Sequence, residues 1–207
     1  MKTIGILGDS YSTFKGYIPE GNRVFYPYPE VPDVVRVEQT WWHLLMQKRG
    51  LKLLVNESYS GATVCESVRE GYPLDSAFTK RANRTFGADN QEKPGIIFFF
   101  GCTNDSWFDR PIGENQYENW TDEDLKQCLP AYCYIIHTLK TNNPESLVVA
   151  VINTGLKDEI RAGMLKACEH YGIPKVELHE IAKEAGHPNA LGMTQIAQQV
   201  SAVLDTL

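Results

Sequence analysis

Ser10 and His187 are the candidate nucleophile and base in this sequence, and their positions would allow their side chains to come together in the folded chain. Ser10 ends the tripeptide Gly8-Asp9-Ser10 directly after the first apolar run, where a tight turn would present its hydroxyl to solvent. His187 lies in a turn just before the last helical pattern, from which an imidazole can reach across the edge of a sheet. A serine needs an adjacent base to become nucleophilic at neutral pH. The pair therefore indicates acyl transfer, with Ser10 as nucleophile and His187 as base.

Neither residue is diagnostic alone. A Gly-Asp-Ser turn is more often a plain connection after a strand, with Asp or Ser bonded to the backbone. The α/β-hydrolase elbow G-x-S-x-G is disfavoured, because Ser12 occupies the position of its second glycine. The other histidines lie inside predicted helices, near a helix end or in a charged segment: His43, His137, His170 and His179. The loop position of His187 makes it the strongest candidate for the base.

Glu184 is the candidate third catalytic residue. A carboxylate usually orients the far nitrogen of a catalytic imidazole, and Glu184 lies three residues before His187. This spacing can place both side chains on one turn. Taken alone, a glutamate beside a histidine on a surface turn is more often a solvated charge. A catalytic role for Glu184 therefore requires that His187 reach the serine.

Two loops offer hydrogen-bond donors for the oxyanion that acyl transfer develops. Gly61 follows the second predicted strand, where the lack of a side chain would let its N–H approach the site. Asn104 follows the third predicted strand, and its side-chain amide could be a further donor. A turn glycine and a helix-capping asparagine explain each position separately. Their joint placement after successive strands favours an oxyanion hole.

Short apolar runs alternate with amphipathic stretches, which is typical of an α/β protein. The predicted strands are residues 3–7, 51–55, 95–100, 147–152 and 175–178. The predicted helices are residues 38–49, 121–140, 157–171 and 190–207. Pro130 lies inside the second of these helices and is expected to kink or split it. The pattern predicts one domain over residues 1–207, a three-layer α/β sandwich whose ligand site lies at the carboxyl ends of the strands.

Residues 14–35 break this alternation. They contain five aromatic residues and four prolines without a clear period. Because the segment follows the first strand directly, it is expected near the strand ends, where such loops often form a wall or lid. An apolar flap that merely covers the core is the equal alternative.

Composition excludes several classes of function. A formal charge of −6 and a pI near 5.4 give no basic field for nucleic acid. The five cysteines show no spacing suited to zinc or redox chemistry and are expected to be buried free thiols. Apolar runs are strand-sized, so no membrane insertion is expected, and the start lacks the pattern of a signal peptide. A cytoplasmic location is the expectation.

The candidate residues resemble the four blocks of the SGNH hydrolases, or GDSL-like lipases and acylhydrolases. The blocks are Gly8-Asp9-Ser10, Gly61, Gly101-x-x-Asn104 and a histidine before the last helix. The most specific piece is the stretch from His187 to Gly192, and the match spans nearly the whole chain. The resemblance implies a flavodoxin-like sheet of about five parallel strands, in agreement with the alternating pattern.

The resemblance also implies roles for these residues. Ser10 is the nucleophile, His187 is the base, and the Ser10 and Gly61 N–H groups form the oxyanion hole with the Asn104 amide. The family usually has aspartate where this chain has Glu184. The longer side chain could still orient the imidazole; the alternative is a Ser-His dyad whose ring is held by a backbone carbonyl.

The residues and the resemblance together predict a carboxylic ester hydrolase that needs no metal and no organic cofactor. Tyr11, Trp107 and Asn153 are expected to contact the substrate, a small-molecule or glycan ester. Aromatic and polar residues near the expected mouth favour an acetylated carbohydrate. The rival is a catalytically silent module that binds a glycan or an acyl ligand, and a flavodoxin-like nucleotide binder would need a glycine-rich phosphate loop that is missing here. The oligomeric state stays open.

Overall fold

Five parallel strands form the central sheet of the structure, a computed structural model that describes residues 2–207. The strands are β1 (Thr3–Gly8), β2 (Lys52–Ser58), β3 (Ile96–Phe100), β4 (Leu147–Ile152) and β5 (Lys175–Glu177). Their order is β2-β1-β3-β4-β5, which is the flavodoxin-like arrangement. The predicted α/β class and parallel sheet are confirmed.

The sheet is buried on both faces, as its apolar strand sequences predict. All five residues of β3 are buried, and this strand pairs in unbroken parallel register with β1 and with β4. Phe98 packs on one face against Trp41, with ring centroids 5.6 Å apart. Phe99 packs on the other face against Tyr132, at 4.7 Å. Successive side chains of a strand point to opposite faces, so one strand contributes to two hydrophobic cores.

Helices cover both faces of the sheet. The structure contains α1 (Trp41–Arg49), α2 (Phe78–Phe86), α3 (Thr103–Trp107), α4 (Cys128–Asn142), α5 (Asp158–Tyr171) and α6 (Ala190–Leu204). α1 and α6 pack together on one face, and α2, α4 and α5 pack on the other. This arrangement is the predicted three-layer sandwich. Within residues 2–207, no helix is both long enough and apolar enough to cross a bilayer.

Pro130 determines where α4 begins. The helix predicted over residues 121–140 starts instead at Cys128, after a separate 3-10 turn at Asp124–Lys126. Thr121 lies just before that turn, and its Oγ1 accepts from the Asp124 N–H at 3.3 Å. Proline is tolerated in the first turn of a helix, where its missing N–H is not needed. Pro130 therefore splits the predicted helix and does not kink it.

β2 continues beyond its predicted end at residue 55 through three polar residues. Each of them is buried with a partner. Asn56 Nδ2 donates to the Ser12 carbonyl at 2.8 Å, and Ser58 Oγ donates to Asn56 Oδ1 at 2.6 Å. The Glu57 carboxylate accepts from Thr85 Oγ1 at 2.6 Å. Partnered polar groups can be buried, but a hydrophobic pattern cannot reveal them.

Two helices lie where no element was predicted. α2 buries Phe78, Ala82 and Phe86 at intervals of four residues, so its apolar face was present in the sequence. α3 has five residues, too few for a periodic pattern. Cys102, just before α3, has a φ of +69°, and this left-handed turn directs the chain from β3 into the helix.

Candidate active site

The carboxyl ends of the strands enclose a cavity of about 320 Å³ that contains the predicted reactive residues. Its wall includes Ser10 after β1, Gly61 after β2, Asn104 after β3 and His187 before α6. Parallel strands end at one edge of the sheet, so residues distant in sequence meet there. A larger hollow of about 610 Å³ lies beside α5 around Gly163, and none of these four residues lines it.

A short 3-10 turn, Ser10–Ser12, presents the Ser10 hydroxyl to the cavity. Asp9 caps this turn, because its Oδ1 accepts the Tyr11 N–H at 3.0 Å. Burial raises the pKa of Asp9 from 3.8 to about 6, against the opposing effect of this hydrogen bond. Asp9 is fully buried and anchors the turn.

A two-residue β-hairpin holds the candidate base. β6 (Lys183–Glu184) and β7 (His187–Pro188) pair antiparallel around Ala185 and Gly186. These two turn residues have φ values of +46° and +77°, as the tight turns that join twisted strands require. The Tyr11 hydroxyl donates to the Gly186 carbonyl at 2.7 Å. This bond ties the hairpin to the turn that carries the serine.

The imidazole of His187 is oriented as a base toward Ser10. Its Nε2 lies 2.9 Å from Ser10 Oγ, and its Nδ1 lies 3.0 Å from the Ala185 backbone carbonyl. A carbonyl oxygen only accepts, so the proton is assigned to Nδ1 and Nε2 presents its lone pair to the serine. Burial lowers the pKa of His187 from its usual 6.5, the bond to Ala185 opposes this shift, and the Lys183 charge adds to it.

The structure does not support the orienting role predicted for Glu184. Its side chain is exposed, and Oε1 lies 3.5 Å from the Asn189 side-chain amide. The Ala185 carbonyl occupies the position at His187 Nδ1. Glu184 and His187 are backbone partners across the hairpin, and the turn between them brings Ala185 back to the imidazole. The geometry is that of a Ser-His dyad, the alternative left open by the sequence.

Gly61 and Asn104 lie on the same cavity wall as Ser10. At Gly61, φ is +82° and an added Cβ would lie 2.2 Å from the Tyr72 hydroxyl oxygen, so the position requires glycine. Within the described chain, the Gly61 N–H donates to no protein acceptor. Asn104 Nδ2 donates to the Ala62 carbonyl at 2.9 Å, and an amide nitrogen has a second hydrogen to offer a ligand. Their role as oxyanion donors stays a prediction.

Asp105 links the two loops that carry these donors. Its carboxylate accepts from the Val64 N–H at 2.8 Å and from the Cys65 N–H at 3.1 Å. Asp105 is fully buried, so it holds the loop after β2 against α3 and does not line the cavity. These bonds tie the loop that contains Gly61 to the helix that contains Asn104.

Of the three residues predicted to contact the substrate, only Trp107 lines the cavity; it is 39% exposed. Tyr11 is fully buried, and its ring centroid lies 5.4 Å from that of His187. Asn153 is 2% exposed, and its Nδ2 donates to Thr103 Oγ1 at 3.1 Å. Tyr11 and Asn153 therefore pack behind the cavity wall and do not line it.

The segment of residues 14–35 fills both of its predicted roles. It forms one wall of the cavity, and it also covers part of the core with four buried side chains: Phe14, Tyr26, Val31 and Val34. The Phe25 ring stacks on the His187 ring, with centroids 3.7 Å apart and an interplanar angle of 12°. Tyr28 packs on Phe25 at 4.5 Å and also lines the cavity. The sequence indicated this loop, but aromatic residues without a period do not show which ones face a site.

Three further lining residues were not predicted: Ser60, Arg69 and Phe108. Ser60 and Phe108 are neighbours of Gly61 and Trp107, so proximity to the motifs could have identified them. Arg69 lies in a stretch without predicted elements, and no sequence signal indicates it.

One cluster of potential metal ligands is present in residues 2–207: Cys102, Asp105 and Cys128, all buried. The Cys128 thiol donates to Cys102 Sγ at 3.7 Å. Burial raises the pKa of Cys102 to about 11, and the bond to Cys102, together with burial, raises that of Cys128. In the chain as described, the two thiols and Asp105 pack together where the loop after β2 meets α3 and α4. All five cysteines are free and buried, as predicted.

The pKa of His187 predicts the pH dependence of an ester hydrolysis at this site. The neutral imidazole is the active base, and a lowered pKa keeps it neutral to lower pH. We expect kcat/KM for p-nitrophenyl acetate to fall as pH falls, with a midpoint below 6.5. Because Asp9 also has a pKa of about 6, the same profile is measured for Asp9→Asn. A midpoint at or above pH 6.5, or a kcat/KM that no longer falls at low pH in Asp9→Asn, would contradict the assignment of this titration to His187.

Glu184→Gln is expected to change kcat/KM by no more than about twofold, because the Ala185 carbonyl holds the imidazole. Removing a true triad carboxylate typically costs roughly 10⁴-fold in kcat. The two outcomes are far apart, so steady-state kinetics on p-nitrophenyl acetate decide between them. A loss of a hundredfold or more would restore Glu184 to the catalytic set.

Comparison with known proteins finds one family profile and several solved structures that match nearly the whole chain. A family profile described as GDSL-like Lipase/Acylhydrolase matches residues 2–204. The fold is similar to that of a protein from Bacteroides ovatus ATCC 8483 described as a GDSL-like lipase, with a TM-score of 0.93, 38% identity, and coverage of 100% of this chain and 99% of that chain. A protein of the same description from Bacteroides uniformis ATCC 8492 has a TM-score of 0.92 and 39% identity. That match covers 100% of this chain and 97% of that chain.

More distant structures share the fold alone. A family two carbohydrate esterase from Clostridium thermocellum, solved as an active-site mutant, has a TM-score of 0.64 and 13% identity. The match covers 99% of this chain and 63% of that chain. No curated protein matches the sequence significantly.

Proposed function

Because this chain belongs to the GDSL-like lipase/acylhydrolase family, we propose that it is a serine ester hydrolase whose acyl-enzyme forms on Ser10. The observation that carries the proposal is the 2.9 Å separation between His187 Nε2 and Ser10 Oγ. A nucleophile within hydrogen-bond reach of an oriented base is the arrangement that acyl transfer needs. Ser10 is buried in the protein but open to the cavity, where a substrate carbonyl can reach it.

In the first step, His187 Nε2 takes the Ser10 proton while Oγ attacks the ester carbonyl carbon. The carbonyl oxygen becomes an oxyanion, which the Ser10 and Gly61 N–H groups and the Asn104 amide stabilise. Collapse of this intermediate breaks the bond to the alcohol, and His187 returns its proton to the departing oxygen. The products of this step are the free alcohol and an acyl group on Ser10.

In the second step, His187 removes a proton from water as the water oxygen attacks the acyl carbonyl. The same donors stabilise the second oxyanion. Its collapse breaks the bond to Ser10 Oγ, which takes the proton back from His187 Nε2, and releases the carboxylic acid. In each step the imidazolium forms next to the Ala185 carbonyl, whose partial negative charge stabilises it less than a carboxylate would. The buried setting of His187 also disfavours the charged form.

A carbohydrate carrying a small acyl ester, such as acetate, is the proposed substrate class. The cavity is at the small end of ligand sites, about 320 Å³, which suits a short acyl group. Phe25, Tyr28 and Trp107 supply aromatic faces at its wall, against which the apolar face of a sugar ring can pack. The fold shared with a carbohydrate esterase agrees with this choice.

The test varies the length of the acyl chain and the nature of the alcohol in the ester. Initial rates are measured for p-nitrophenyl acetate, butyrate and octanoate, and acetate release is measured from fully acetylated xylose. We expect hydrolysis of the acetate and of the acetylated sugar, with little activity on the octanoate. Preference for octanoate would contradict the substrate class. Binding of acetylated xylose without hydrolysis of any ester would favour the silent binding module.

A further inference from the structure

Arg69 places a fixed positive charge in the wall of the catalytic cavity. Its guanidinium carbon lies 3.5 Å from the centroid of the Phe108 ring and 4.8 Å from that of Tyr72. Its Nη1 donates to the Tyr72 hydroxyl at 3.2 Å. The aromatic faces and this hydrogen bond hold the half-buried guanidinium in one orientation.

A second guanidinium lies beside the first. The Arg23 guanidinium carbon is 4.2 Å from the centroid of the same Tyr72 ring. Two like charges that share one ring repel each other, and a carboxylate bound beside them would reduce this repulsion. No carboxylate of residues 2–207 lies within 4.0 Å of either cation.

The cavity wall also contains no acidic side chain among the described residues. In a chain with a formal charge of −6, a site bordered by arginine and free of carboxylates is a local inversion of charge. A guanidinium recognises a carboxylate through two parallel hydrogen bonds. Because this guanidinium is already oriented, binding costs less conformational entropy.

We propose that the preferred substrates are esters that also carry a carboxylate, and that Arg69 pairs with it. The inference rests on the proposed ester hydrolysis, in which the carboxylate takes no part chemically and leaves unchanged with one of the two products. Arg69 is therefore a specificity-determining residue. The carboxylate can belong to the alcohol, as in an acylated sugar acid, or to the acyl group, as in a half-ester of a dicarboxylic acid.

Two matched pairs of substrates separate these sources. For the alcohol, the pair is 4-acetoxybenzoate and its methyl ester; for the acyl group, it is p-nitrophenyl hemisuccinate and its methyl ester. Within each pair a carboxylate is replaced by a neutral methyl ester. The two members also differ in intrinsic reactivity, so the spontaneous rate of each compound is subtracted and the ratios are compared between proteins. The kcat/KM ratio of charged to methylated substrate is measured for the wild type, Arg69→Gln, Arg69→Lys and Lys52→Gln. Lys52 is an exposed cation at the start of β2, at the opposite edge of the sheet, and serves as the control.

We expect the wild type to favour the charged member of one pair by about tenfold or more. The ratio should collapse in Arg69→Gln, remain in part in Arg69→Lys, and be unchanged in Lys52→Gln. It should also shrink with added salt, because the charges lie near solvent. The pair that shows the preference identifies the part of the substrate that carries the carboxylate.

Equal rates within both pairs, or a preference that survives Arg69→Gln, would overturn the inference while leaving ester hydrolysis intact. If the wild type hydrolyses none of the four compounds, p-nitrophenyl acetate and acetylated xylose still decide the proposed function, and binding decides the inference separately. Ligand-observed NMR of the same compounds with Ser10→Ala, compared with the Ser10→Ala/Arg69→Gln protein, gives that answer. Arg69-dependent binding of a charged compound supports the inference, and its absence refutes it.

Discussion

Ser10→Ala is expected to lower kcat for p-nitrophenyl acetate by roughly 10⁴-fold or more, because it removes the atom that attacks the carbonyl. The fold should persist, since the Ser10 backbone still accepts from Thr13 and the Asp9 cap does not use the serine hydroxyl. Stopped-flow and steady-state release of p-nitrophenol measure the loss, and circular dichroism checks the fold. Activity within tenfold of wild type would show that another group is the nucleophile.

The same loss is expected from His187→Ala, and the two effects should not add. The two residues act as one unit across 2.9 Å, so Ser10→Ala/His187→Ala should be no slower than either single variant. His179→Ala is the matched control, because its side chain is exposed and outside the cavity. Additive losses in the double variant would mean that His187 acts independently of the serine.

Asn104→Ala is expected to reduce kcat by about 10²- to 10³-fold with a small change in KM. A side-chain donor that meets the oxyanion acts on the transition state more than on the bound ester, and losing one typically costs about 2.7–4 kcal/mol of barrier stabilisation. Asn104 lies on the cavity wall 4% exposed, with one amide hydrogen already bonded to Ala62. Separate kcat and KM values for a p-nitrophenyl ester measure the effect.

Asn143→Ala controls for the structural part of that change. Asn143 is 1% exposed, and its Nδ2 bridges the carbonyls of Phe86 and Leu139 at the end of α4, away from the cavity. Both variants should lower the free energy of unfolding, but only Asn104→Ala should lower kcat. If the two lose stability alike and both keep their kcat, Asn104 is only a structural link.

The sequence predicts the main parts of this site because its topology is simple. Parallel strands bring all their carboxyl ends to one edge, so Ser10, Gly61 and Asn104, each placed just after a strand, had to come together. The turn before the last helix then brought His187 to the same edge. The family resemblance rests on these same positions, and its fold and family are confirmed.

Side-chain directions were not predictable from the same information. The spacing of Glu184 and His187 fits a triad, but the two-residue hairpin places the Ala185 carbonyl at the imidazole. Tyr11 was expected to contact the substrate, yet it is fully buried and its hydroxyl donates to the Gly186 carbonyl of the hairpin. Such outcomes depend on backbone angles and packing, which neither residue type nor spacing records.

The cavity walls are the part of the site that the sequence predicts least well. Phe25, Tyr28 and Arg69 come from segments without a regular element, and they meet only in the folded chain. The tertiary packing that stacks Phe25 on His187 and Arg69 on Phe108 has no periodic signature. A sequence motif therefore identifies the chemistry of this site better than its specificity.

Covalent labelling tests the central claim, that His187 activates Ser10 as the nucleophile, most directly. Phenylmethylsulfonyl fluoride sulfonylates an activated serine with loss of fluoride, and intact-mass and peptide mass spectrometry locate the new bond. We predict one added phenylmethylsulfonyl group on the peptide that contains Ser10, no label in Ser10→Ala and much slower labelling in His187→Ala, with activity lost in proportion to labelling. Labelling at another residue with parallel loss of activity, or equal rates in wild type and His187→Ala, would contradict the account.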